Sequence, residues 1–184
     1  DNNQLPLKLS PTEWKLATSR SEMEIHMNTT DNLEQFLPIL RTASIFSGMS
    51  DSEILSVLHC MGAFVSDKEK DSYLLRAGDM TSTMGLLLSG SAIVIQEDVW
   101  GHRNIMAQIL PGQTFAEPFA ASNGTALNIS VVVTKDCSLL YLDIHRILGV
   151  CPSACEHHTH LIQNLISVLA KKLLLFNEKI THMS

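Results

Sequence analysis

The spacing of hydrophobic positions changes twice along the chain. From Asn32 to Met61 it is that of short helices. Asn32-Leu33-Glu34-Gln35-Phe36-Leu37 reads as a helical turn ended near Pro38, and Ser50-Asp51-Ser52-Glu53 supplies an N-cap and an acidic first turn to a helix through Ile54, Leu55, Leu58 and Met61. Between Gly62 and Asp143 the pattern becomes short apolar or β-branched runs, and it predicts seven strands over 63–66, 72–76, 84–88, 92–97, 104–110, 129–134 and 138–142. Ala77-Gly78-Asp79, Ser89-Gly90-Ser91, Trp100-Gly101-His102, Pro111-Gly112-Gln113 and Ser122-Asn123-Gly124 separate them as turns. Strands this short and closely spaced predict an antiparallel barrel or sandwich. Residues 114–121 do not alternate and read as a helical turn inserted between the fifth and sixth strands. Asp143 then caps a small helix over 144–150, which Cys151-Pro152-Ser153 interrupts.

The last stretch, 155–184, carries two apolar stripes. Ile162, Ile166, Leu169, Leu173, Phe176, Ile180 and Met183 follow the a and d steps of a heptad, the seam of a paired helix, and predict a homodimer. Leu161, Leu165, Val168 and Leu175 run beside them at helical spacing and need a body to lie on. The expectation is one helix that dimerises along one edge and packs on its own domain along the other. The alternative is an ordinary terminal helix buried in a monomer core.

Composition narrows the class. A chain of 184 residues, 45% hydrophobic and 17% charged, suits one globular domain with an accessory element. We divide it into an extension over 1–30, in which Met27 is one candidate start, a sensing domain over 31–150 and a dimerisation helix over 151–184. No run approaches the roughly 18 apolar residues of a membrane span, and the N-terminus lacks a basic-then-apolar signal pattern. A cytoplasmic protein without membrane contact is expected. A net charge of −6 argues against broad non-specific nucleic-acid binding by this chain itself. Four cysteines, Cys60, Cys137, Cys151 and Cys155, are too few and too irregular for a disulfide framework and are expected as thiols.

Enzyme signatures are missing: there is no Gly-x-Ser-x-Gly elbow, P-loop, His-Glu-x-x-His or dinucleotide glycine motif. A non-enzyme without cofactor is expected. A cupin-like metal enzyme on a β-roll is the competitor. It is disfavoured because His59, His145, His157, His158, His160 and His182 fall outside the strands and His102 falls at a hairpin turn. Cys151, Cys155, His157 and His158, with His160 beyond them, could share a metal or form a thiol switch near a helix start. A buried cysteine among solvated histidines is the plainer expectation.

Arg76-Ala77-Gly78-Asp79, Leu87-Leu88-Ser89-Gly90-Ser91, Leu110-Pro111-Gly112-Gln113-Thr114-Phe115-Ala116-Glu117 and the helix from Leu165 to Leu173 together resemble the sensor half of the Crp/Fnr superfamily of transcription regulators. The resemblance covers about Leu33 to Ser184. It implies an α+β fold: an antiparallel β-roll of the jelly-roll, cyclic-nucleotide-binding type, flanked by short N-terminal helices and a long C-terminal dimerisation helix. It further implies an effector domain, a dimer made by that helix, and DNA contact only through a helix-turn-helix domain beyond this sequence.

Members of that family that bind cyclic nucleotides hold the phosphate with an arginine and helix-start N–H groups, and the ribose with a glutamate. Glu117 matches the glutamate. The arginine position falls near Leu127-Asn128-Ile129, and no arginine occurs between Arg103 and Arg146. Lys135, expected at an exposed turn between two strands, is the other cation of that interval, and Pro118 also departs from the pattern. A buried phosphate without its counter-ion costs several kcal/mol, so the expected effector is a small molecule other than a cyclic nucleotide. An apolar pocket between roll and long helix is expected from Leu86, Leu88, Phe115, Phe119, Val131 and Leu165, with Glu117, Asn128 and Ser130 as polar contacts. It would suit an aromatic acid. The alternatives are that these residues simply fill the roll, and that the chain is a dimerisation module without ligand. In the effector reading, binding near Phe115 and Glu117 repositions the long helix.

Overall fold

The computed structural model describes residues 33–122, 124–149 and 157–182. The extension over 1–30, Asn123, Cys151, Cys155 and Met183 lie outside them. A 3-10 turn, Glu34–Phe36, runs into α1 (Leu37–Leu40), a second spans Ser44–Phe46, and α2 spans Asp51–Cys60. The Ser50-to-Glu53 signal forms a full capping box. The Ser50 N–H donates to Glu53 Oε2 at 2.6 Å, and the Glu53 N–H donates to Ser50 Oγ at 3.4 Å, so two otherwise orphaned donors are satisfied.

Six strands follow: β1 (Phe64–Lys68), β2 (Tyr73–Leu75), β3 (Thr83–Glu97), β4 (Arg103–Ile109), β5 (Thr114–Phe115) and β6 (Ser130–Asp143). All pair antiparallel, in the order β1-β6-β3-β4, with β2 also on β6 and β5 on β3. Helices α3 (Glu117–Ala121), α4 (Ile144–Leu148) and α5 (His158–His182) complete the chain. This is the α+β antiparallel roll, with helices against it.

The expected seven strands are corrected at two places. Ser89-Gly90-Ser91 is not a turn but the middle of β3, and 135–137, which includes Lys135, lies inside β6. Each pair of expected strands is one long bent strand. The register between β3 and β6 slips from Leu87 to Ala92, where Gly90 takes a φ of +80°. A Cβ on Gly90 would run into the backbone oxygen of Asp136, so glycine serves a bulge where two backbones approach closely. The expected helical insert also loses its first two residues to β5, which pairs with Gly85 and Leu86.

Both faces of the inner half of β3 are covered. Met84, Leu86 and Leu88 join Leu140 and Leu142 of β6 in a core shared with Phe46, Ile54, Leu58, Ile147, Leu161 and Leu165 of the helical side. Leu87 and Leu139 turn the other way, into a second core with Phe115, Ala116, Val131 and Val133. A strand buried on both faces needs an unbroken apolar run, and Met84-Gly85-Leu86-Leu87-Leu88 is one. Edge strand β4, by contrast, is exposed at six of its seven residues.

Helix α5 lies on the turn Ser44–Phe46 and on α4. Leu161, Leu165 and Val168 are buried, Ile162 and Leu169 are half-buried against the same core, and Asn164 Nδ2 donates to the carbonyls of Ile45 and Ser47 at 3.0 and 2.9 Å. From Lys171 to Glu178 the helix is exposed. No described helix is long and apolar enough to cross a membrane.

Candidate functional site

The site is built at the junction of β5 and α3. Gly85 of β3 lies under Phe115, and a Cβ there would enter the Phe115 ring, so the ring closes directly on the strand backbone. Ala116 follows in the left-handed region, φ +69° and ψ 2°, and reverses the chain so that Glu117 begins α3 pointing inward. Pro118 sits in the first helical turn, where its missing N–H has no intrahelical acceptor to lose. It therefore fits this backbone rather than disturbing it.

Glu117 is 0% exposed. A carboxylate taken wholly out of water needs a cation or several donors, and it has both. Lys172, 55 residues further on in α5, donates from Nζ to Glu117 Oε1 at 2.7 Å, to Oε2 at 2.9 Å and to the Thr114 carbonyl at 2.8 Å. The two carboxylate oxygens lie too close together to take separate N–H groups, so they share one ammonium N–H between them while another reaches the Thr114 carbonyl. The Thr114 hydroxyl donates to the same Oε1. The lysine side chain as a whole is 44% exposed, against 0% for that of Glu117.

Lys172 is the residue of this candidate site that the sequence reading passed over. The buried stripe Leu161, Leu165, Val168 runs in steps of four and three, and Lys172 occupies the next step before Leu175. A lysine at a core-facing position was the available signal. Leu175 itself, read as part of that stripe, is 58% exposed, because α5 has left the body there.

The expected pocket residues fall into separate places. Leu86, Leu88 and Leu165 pack in the helical core. Phe115 and Val131 pack in the core of the roll, on the opposite face of the sheet. Phe119 and Ser130 are half-buried, with the Ser130 Oγ accepting from the Ala77 N–H at 2.9 Å, and Asn128 is exposed. The structure thus gathers Thr114, Glu117 and Lys172 and divides the apolar set between two layers. Lys135 is exposed beside the Gly90 bulge, opposite Ser91.

Of the seam, Ile166, Leu173 and Phe176 are exposed, Ile162 and Leu169 turn toward the chain's own core, and the Ile180 side chain lies outside the described ones. Of the expected metal set, His157 Nδ1 lies 3.1 Å from Glu53 Oε1, and His158 is buried with Nε2 unpartnered. Among the described residues no three His, Cys, Asp or Glu side chains converge as metal ligands would.

Residues 67–153 match the family model of the cyclic nucleotide-binding domain. A solved cyclic nucleotide-binding domain from Methylobacillus flagellatus is 17% identical, with a TM-score of 0.69 over 84% of this chain and 85% of that one. The catabolite activator protein of Thermus thermophilus is 19% identical, with a TM-score of 0.66 over 77% of this chain and 63% of its own length. The sensor domain of the transcriptional regulator DNR from Pseudomonas aeruginosa is 17% identical, with a TM-score of 0.60 over 77% and 90%. No curated protein sequence matches the chain.

Proposed function

From a chain that carries a cyclic nucleotide-binding-type domain and shares its fold with Crp/Fnr-type regulators, we propose an effector-sensing regulatory domain whose ligand is a small molecule other than a cyclic nucleotide. Ligand binding at the β5–α3 junction would be passed to α5. In this reading α5 pairs with the same helix of a second copy, and DNA is reached through a further domain; the use of this fold in the transcriptional regulator DNR supports it.

The observation that carries the reading is the state of Glu117. It matches the glutamate that takes a ribose hydroxyl in cyclic-nucleotide-binding relatives, yet it is buried and already paired with Lys172. No arginine stands where the cyclic phosphate would need one, and Lys135 is exposed in β6 beside the Gly90 bulge. A bound cyclic phosphate would have to give up hydration without a counter-ion, at a cost of several kcal/mol. That is enough to remove micromolar affinity.

Titration calorimetry with cyclic AMP and cyclic GMP tests this, and no heat of binding is expected at micromolar ligand. Low-micromolar affinity for either would overturn the effector class. A thermal-shift panel of small aromatic and aliphatic acids and amines separates a sensor from a dimerisation module, because a ligand of the folded state must raise the melting temperature.

A further inference from the structure

The three acceptors around Lys172 form a site in their own right. Glu117 Oε1, Glu117 Oε2 and the Thr114 carbonyl stand around one ammonium nitrogen at 2.7–2.9 Å, and the Thr114 hydroxyl already donates to the carboxylate from another side. These acceptors already hold one primary ammonium, its N–H groups shared between the Thr114 carbonyl and the two carboxylate oxygens, so the site is matched to a protonated amine. A hydroxyl offers one neutral donor and would leave a wholly buried negative charge uncompensated. A second anion would compound the cost. Exchange of one ammonium for another leaves the charge of the site unchanged.

The amine that meets these acceptors belongs to a part of α5 with little other cover among the described residues. Every residue from Lys171 to Glu178 is exposed, and over that span Lys172 reaches back into the roll. Resting on the reading that the β5–α3 junction is the effector site, we infer that Lys172 is its resident internal ligand. An effector that takes Glu117 therefore carries a primary amine, displaces Lys172, and unties the outer half of α5 from the roll.

Lys172→Ala removes the ammonium and its stem but keeps all three acceptors. Thermal melting of this variant is followed with n-butylammonium chloride, and with n-butanol and sodium chloride at equal concentration as controls. The amine is expected to raise the melting temperature of the variant above both controls, and to show no such excess on the unsubstituted chain. Equal effects of amine and alcohol, or no effect, would overturn the assignment. Lys172→Gln gives a second measurement that does not depend on the alanine variant folding, since it keeps most of the stem and a donor while removing the charge. Its amides over 169–178 are expected to exchange hydrogen about tenfold faster, a discounted figure for a half-exposed pair. Unchanged rates would sink the tether. Neither experiment uses an effector, so failure here leaves the sensor reading to its calorimetry and thermal-shift panel, and failure there leaves the Lys172 result standing.

Discussion

Tyr141 shows what this roll does to a titratable side chain. It sits on β6 opposite Phe64 and Gly85, stacks on the Phe64 ring with centroids 5.3 Å apart, and packs against the core of the roll. Burial, with a smaller contribution from Cys137, pushes its phenol up to about 12. In the unfolded chain the same phenol ionises near pH 10. Between those values the unfolded state loses its proton and the folded state keeps it, so this part of the stability is whole below about pH 10 and is lost as pH rises toward about 12. Two units correspond to about 2–3 kcal/mol. Denaturant unfolding of the protein and of Tyr141→Phe on either side of this window should give a fall in the first and a much smaller one in the second. Equal falls would mean that another group is responsible. Glu53 acts in the opposite direction. The Ser50 N–H, first among its partners, holds its carboxylate below the usual range, so the stability it adds is lost as pH drops through the acid range.

At the scale of elements, α5 is one helix with two different environments. Leu165 is 2% exposed and Leu174 is 62% exposed, nine residues apart on a continuous helix. Leu165→Ala should cost about 2–5 kcal/mol through lost burial and the cavity left in the helical core. Leu174→Ala should stay within about 0.5 kcal/mol for the isolated chain. Chemical denaturation of both variants, at protein concentrations where the chain is monomeric, reads the difference. The helices were legible in the sequence because capping and period are local signals, as at Ser50-to-Glu53 and along Leu161, Leu165 and Val168. The strands were legible in number only roughly. Ser89-Gly90-Ser91 has the same composition in a bulge as in a turn, and what distinguishes the two here is the approach of Asp136, 46 residues away. The pocket was misassembled for a related reason. Alternation places Leu86 and Leu88 on one face, but the pairing of Val94 with Val131, which puts Val131 on the other, is a register and not a local pattern. Lys172 was hidden differently. Lysines are mostly solvated, and nothing near it in sequence announces Glu117.

At the scale of the whole molecule, what stands out is an apolar surface without a cover among the described residues. Ile166, and Leu173, Leu174, Leu175 and Phe176 in the outer half of α5, are 56–62% exposed, five large side chains on one helix. Scattered exposed leucines need no explanation, but a contiguous apolar set of this kind is what an interaction face presents. Three of the five, Ile166, Leu173 and Phe176, keep the steps of a heptad seam, which a second copy of the same helix would satisfy by twofold pairing. Two seam positions could be tested by a charge. Leu169 is half-buried against the chain's own helical core, so an aspartate there would also damage the monomer. Phe176 is 56% exposed and stands clear of that core, so Phe176→Asp removes the seam and leaves the domain intact. Light scattering should report a dimer for the unsubstituted protein and a monomer for Phe176→Asp, with melting of the monomeric domain little changed. A dimer that survives the substitution would take the seam out of the mechanism, and the Lys172 tether would then have to act on whatever element lies beyond α5 without a second subunit to move against.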